Sequence, residues 1–346
     1  MRADLVLMTY GEPYENRFAD QYEYSKLILN KLTRRVAPIP KFVTPLLAAW
    51  RGRQRVKDWN DLGYTSPLES ISEQQRDALL AELRKQDPDT DWHIHIAYEF
   101  RHPLQHEVLD TLRNQALDRL MLLPMYATVS DFTHCITRSD FLSYQEKHNQ
   151  PFESHVPMLC LRPFLDELAD VMAQYVRDEA QKRGYSDEEK KSTALLLGCH
   201  GTVMTPPKGI KNTGYGDTFG LYQRLERRLR DEFSTVRIGW LNHTLGGEWT
   251  SPNAEQSVSA LVEEGYTRFM YFPFGFLADN AESQVEGRQV MEDHGIAEYD
   301  HLDCVNTYPP LITMLANVIR QQLQEPHIAR QARQEEPKPE PEPQLV

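Results

Sequence analysis

Short apolar runs alternate with longer amphipathic stretches along nearly the whole chain, and this alternation constrains the fold more than any other feature of the sequence. Strand candidates are Leu5–Met8, His93–Ala97, Arg119–Pro124, the residues before Cys160, Ala194–Gly198, Val236–Trp240, Arg268–Phe274 and Asp300–Val305. Helical patterns fall near Phe18–Leu32, Ser72–Leu83, Pro103–Ala116, Phe164–Lys182, Thr218–Asp231, Asn253–Glu263 and Ala278–Asp293. Strands and helices in turn predict a parallel sheet with helices on both faces. LMLLP, ALLLG and FMYFPF are apolar without period-2 alternation, as strands buried on both faces should be. The pattern occurs twice, with a change near residues 126–165. The expected fold is therefore α/β: two similar Rossmann-like domains with a cleft between them.

The length of 346 residues suits two domains. A composition of 40% hydrophobic and 26% charged residues is that of a globular protein with real cores. The formal net charge of −13 argues against nucleic acid, which needs a basic surface. Cys135, Cys160, Cys199 and Cys304 are scattered without CxxC spacing, so no zinc site or iron–sulfur cluster is expected, and the thiols fit a reducing compartment. Without a signal-like or membrane-spanning apolar run, the expected location is the cytoplasm. No obvious apolar dimer face stands out, and a monomer is expected.

Two segments stand apart. APIPKFVTPLLAAW, residues 37–50, precedes the basic RGRQRVK. It reads equally as an apolar lip, with possible peripheral membrane contact, or as a connector packed on the body. QARQEEPKPEPEPQLV at the end is rich in proline and glutamate, and residues 326–346 read as a disordered tail.

In doubly wound sheets, ligands bind outside the carboxyl ends of the strands. ALLLGCHGT puts His200 there, between small residues that let a ligand approach. Imidazole can accept a proton near neutral pH or bind a transition metal. FPFGFLADNAESQVEG follows the next strong strand and opens a helix, on which Asp279, Glu282 and Glu286 are spaced to share one face. Such a stripe is usually solvated surface; beside a buried strand end it suits a divalent cation. Tyr10 in TYGEPY, Glu99 and Tyr126 also follow strands, and Tyr10 is either a stacking platform or a turn support. GYGDTFG lacks the spacing and the preceding strand of a dinucleotide fingerprint. His93 and His95 alternate in a strand and read as structural.

These blocks together resemble the ferrochelatase family of class II chelatases, over about residues 3–324. The resemblance rests on LMTYGEPY, RRVAPIP, RGRQRVKDW, GYTSPLESISEQQ, LLPMYATVS, LLLGCHGT, GYGDTF, IGWLNHTLGGEWTSPNAEQSV, FPFGFLADNAES and VNTYPPLITML, in that order. It implies two flavodoxin-like domains, residues 1–128 joined by the C-terminal helix 309–325, and residues 129–308. It implies insertion of ferrous iron into a porphyrin, coproporphyrin III or protoporphyrin IX, with iron as substrate and no permanently bound cofactor. The family's catalytic histidine falls on His200 and its metal-cleft glutamate on Glu282, with Asp279 and Glu286 on the acidic path beside them. Tyr10 and Tyr126 face the porphyrin, Trp240 and Trp249 line the cleft, and Arg34, Arg35, Arg51 and Arg53 are candidates for its carboxylates. Glu99 stands where many members carry a base, with Arg101 two residues on, and Asn280 stands where a histidine is frequent. A cobalt or nickel chelatase for another tetrapyrrole is disfavoured by chain length and by glutamate, in place of a second histidine, at 282. A non-catalytic porphyrin or haem carrier is the remaining alternative.

Overall fold

A computed structural model describes residues 1–33, 39–152, 156–206, 208–243 and 247–324. Arg34 and Arg35, the start of the 37–50 segment and the 326–346 tail lie outside the described residues. Among the described residues, seven strands form two sheets, all pairs parallel. The first holds β1 (Arg2–Thr9), β2 (Asp91–Tyr98) and β3 (Arg119–Pro124) in the order β2-β1-β3, extended by a single bridge from Leu122 to Met158. The second holds β4 (Thr193–His200), β5 (Thr235–Leu241), β6 (Arg268–Phe272) and β7 (Glu298–His301) in the order β5-β4-β6-β7. Both halves therefore repeat one topology: second, first, third, fourth.

Burial explains the strands. β1 and β4 are covered on both faces, with seven of eight residues buried in each. Two expectations need correcting at the ends. The run before Cys160 contributes one bridge only, and the last strand stops at His301, leaving Leu302 and Val305 buried in irregular chain. Helices Thr44–Asp61 and His134–Lys147 were not legible; both mix polar and apolar residues so evenly that their amphipathic period is faint.

One apolar core runs continuously from β1 through helix Leu165–Lys182 to β4, β5 and β6. Helix Pro309–Gln324 packs against both Leu68–Gln86 and Leu165–Lys182, stitching the two sheets together. Polar groups add fixed points. Buried Gln75 donates to the carbonyls of Leu277 (2.8 Å) and Asn306 (2.9 Å) across the halves.

A buried ion pair anchors the first sheet. Asp4, fully buried, accepts from Arg2 Nε at 2.9 Å and pairs with His95 Nε2 at 2.9 Å. His93 pairs with Asp91 at 3.0 Å. Burial alone would raise the Asp4 carboxyl, but His95 and Arg2 outweigh it and hold it below its ordinary value. A depressed carboxyl contributes stability above its unfolded pKa of about 3.9, lost as pH falls through the folded value. Asp4→Asn is expected to cost about 1.5–3 kcal/mol at neutral pH by denaturant unfolding, the range for hydrogen bonds to charged groups. The difference from the parent should shrink in acid; a constant gap would contradict the assignment.

Candidate active site

Residues that follow β1, end β4, and follow β5 and β6 come within reach of one another. His200 is the last residue of β4. Its Nδ1 lies 2.7 Å from Glu282 Oε1, although the two residues come from different elements. The imidazole remains half exposed (50%) while Glu282 is largely covered (16%), as for a ring on the floor of an open cleft.

Glu282 is positioned from both halves. It begins a π-helical turn, Glu282–Glu286, that leads into helix Gly287–Asp293. The preceding amide, Ala281 N, donates to the buried Glu12 carboxylate at 3.1 Å, and Glu12 also accepts from Ser66 Oγ (2.7 Å) and Tyr64 OH (3.3 Å). Burial pushes Glu12 up, and these donors oppose that rise. A carboxylate from the loop after β1 thus holds the helix start that carries Glu282.

The electrostatics of the pair are mutual. Burial alone would pull His200 down, but Glu282 outweighs it and holds the imidazole above its ordinary value. Burial would raise Glu282, but His200 outweighs it and keeps the carboxyl low. Glu286, one wide turn on, is pushed up to about 7 by burial and by the Glu282 charge.

Other expected residues divide. Tyr10 packs edge-on against Phe100 (centroids 4.6 Å) and Tyr24 (6.2 Å), and burial pushes its phenol up to about 12 within reach of the Arg55, Glu12 and Glu282 charges. Tyr126 is half buried after β3 beside His134, and its phenol is raised by burial and by the Glu99 charge.

Two expectations are overturned. Asp279 does not share a face with Glu282, because the helix begins only after Ala281. Its carboxylate is turned inward and accepts from Cys304 N (2.7 Å), Asn306 Nδ2 (2.6 Å) and Gln284 Nε2 (2.7 Å), tying loops together with no oxygen offered to the cleft. Trp240 does not line the cleft either. Val236, Ile238 and Trp240 alternate onto the core face of β5, where Trp240 stacks on Tyr215 at 5.8 Å and is 1% exposed. Arg101 is also committed, bidentate to Glu69 at 2.8 Å and stacked over Tyr98. Glu99 is buried against Thr137 Oγ1 (2.6 Å) and Lys31.

Two residues were missed. His243, two positions after β5, has its ring 4.9 Å from that of His200, and Trp249 meets it edge-on at 6.0 Å. The protein around this exposed ring lowers its pKa, and the His200 charge lowers it further. Arg55 lies over Tyr24 at 4.8 Å, and among the described residues its buried Nη1 has no hydrogen-bond partner. Arg51, one helical turn back and half buried, is lowered by burial and by the Arg55 charge, whereas Arg53 stacks outward on Phe18. The 37–50 segment ends in a helix that packs inward through Ala48, while Phe42 (80% exposed), Leu46 (72%) and Trp50 (63%) stay in solvent. Among the described residues, no helix is long and apolar enough to cross a membrane.

A family model described as Ferrochelatase matches residues 2–323. The chain belongs to the ferrochelatase family. Family relatives include a ferrochelatase of Synechocystis sp., 24% identical over 341 residues, covering 94% of this chain and 84% of the relative. One from Prochlorococcus marinus is 22% identical over 344 residues, covering 95% and 84%. Among solved structures, SirB from Bacillus subtilis with Fe3+ aligns with a TM-score of 0.51 at 10% identity, covering 94% of this chain and 96% of SirB. The sirohydrochlorin chelatase SirB from Bacillus subtilis subspecies spizizenii, in complex with cobalt, aligns at 0.50 and 10% identity, covering 94% and 97%. At that identity the likeness concerns the fold, and it is the chelatase fold.

Proposed function

We propose that this protein inserts ferrous iron into a porphyrin, and the observation that carries the reading is the 2.7 Å contact of the half-exposed His200, at the end of β4, with Glu282. Insertion exchanges two pyrrole N–H protons for one Fe2+, so the site must take up protons and present a metal on one face of a ring. His200 accepts the pyrrole protons. Glu282 steadies the imidazolium and meets the iron. Glu286, half protonated near neutral pH, passes protons onward. Arg55 and Arg51 offer guanidinium groups to the ring's carboxylates. The exposed Phe42, Leu46 and Trp50 give an apolar surface for a greasy substrate or a lipid surface. Tyr10, directly after β1, favours coproporphyrin III over protoporphyrin IX.

The deciding experiment is anaerobic Fe2+ insertion measured with both porphyrins. Metallation of at least one, faster with coproporphyrin III, is expected; failure with both would remove the reading. The pH profile tests the pair separately. A base must be neutral to act, so the rate should rise as pH climbs through the His200 pKa, which Glu282 holds above the ordinary value. In Glu282→Gln the main charge opposing burial is gone and Glu286 alone still raises His200, so the acid limb should move to lower pH. An unmoved limb would mean that His200 is not the titrating base.

A further inference from the structure

The proposed reading assigns the metal two protein ligands, yet a third donor stands beside them. His200, His243 and Glu282 each offer one ligand atom, and these atoms all lie within 4.8 Å of one another. Bonds of about 2.0–2.2 Å from one ion to three such donors need only a modest contraction of that spacing. Among the described residues, neither ring nitrogen of His243 has a hydrogen-bond partner, although the ring is oriented by Trp249 on one side and His200 on the other. The chain just before it is fixed: Asn242 Nδ2 donates to Thr250 O at 2.7 Å, and Thr250 Oγ1 donates back to Asn242 Oδ1 at 3.0 Å. The imidazole is therefore presented by a braced strand end, with donors still to be used.

We propose that His243 is a third metal ligand, and that His200, His243 and Glu282 hold a divalent transition metal before the porphyrin arrives. The inference deepens the proposed function, because it rests on the same pair meeting the metal. Two imidazoles and one carboxylate on one side of an ion leave its other positions open, toward the ring. Imidazole donors favour iron, cobalt, nickel and zinc over magnesium and calcium, which prefer oxygen. The absence of a second histidine at position 282 thus ceases to separate iron from cobalt or nickel, since His243 supplies one from β5.

The test is binding of Co2+ alone to the full chain, without porphyrin, for the parent, His243→Ala and His243→Gln. The parent should bind one Co2+, and both variants should bind it more weakly by at least the roughly 10–100-fold that loss of even a supporting residue costs a metal site. Pulsed electron paramagnetic resonance of the Cu2+-loaded protein should count two imidazoles in the parent and one in each variant. His243 is exposed, so both variants should unfold at the parental midpoint. Equal Co2+ affinity with an unchanged imidazole count, or a parent that binds no Co2+, would overturn the proposal. Two-imidazole binding in a protein that metallates neither porphyrin would sink the proposed function and leave this inference standing. Iron insertion together with a His243→Ala variant that binds Co2+ like the parent would do the reverse.

Discussion

His200→Ala is expected to slow iron insertion by about 10²–10⁴-fold, the usual contribution of a positioned general base. At 1.36 kcal/mol per factor of ten, this raises the barrier by roughly 3–5 kcal/mol. The loss should be chemical and not structural. His200 ends its strand and is half exposed, and among the described residues its one polar side-chain contact is Glu282, so truncation leaves the core untouched. The denaturant midpoint should therefore match the parent, and porphyrin should still bind. A ring carrier without catalytic function predicts a different pattern, in which substitution at 200 changes porphyrin affinity and there is no rate to lose. If the folded variant metallates at the parental rate, proton acceptance belongs to another group. Glu286 would then be the next to test, since it is pushed up to about 7 in the same cleft.

The sequence made most of the fold legible because both sheets bury their central strands on two faces, which leaves dense apolar runs such as ALLLG. Strand ends were therefore visible, and with them His200, Tyr10 and Tyr126. The errors have specific physical sources. Asp279 was assigned by helical spacing carried back past the true helix start; three donors instead draw its carboxylate into the loop after β7. Trp240 was assigned by its motif, when its parity with Val236 and Ile238 already placed it on the core face. His243 had the same signal as His200, a position just beyond a strand, but no rule links two strand ends that lie 43 residues apart until β4 and β5 are known to be neighbours. Arg55 depended on a helix that an evenly mixed sequence concealed.

The second large effect concerns what holds His200 in place. Tyr271, from β6, lies between two glycines. A Cβ on Gly198 would sit 2.0 Å from its hydroxyl oxygen and 2.3 Å from Cζ, and a Cβ on Gly287 would sit 2.5 Å from the same oxygen. The phenol is thus pressed against strand β4 on one side and helix Gly287–Asp293 on the other, which brings the Glu282 segment close to the sheet. Neither side can give way easily, because β4 is hydrogen-bonded to β5 and β6 along its length. Gly198→Ala is expected to destabilise the protein by about 3 kcal/mol, at the upper end of ordinary overpacking. It should also lower activity, because His200 lies two residues further along the displaced strand. Tyr271→Phe makes the complementary case. It removes a buried hydroxyl without a hydrogen-bond partner, whose desolvation costs on the order of 1–3 kcal/mol, and it should leave stability unchanged or raise it. Combining the two should recover only part of the loss, since the ring carbon still meets the new methyl; the shortfall measures their coupling. A Gly198→Ala protein within about 0.5 kcal/mol of the parent, the ordinary range for substitutions away from such features, would show that the slot yields.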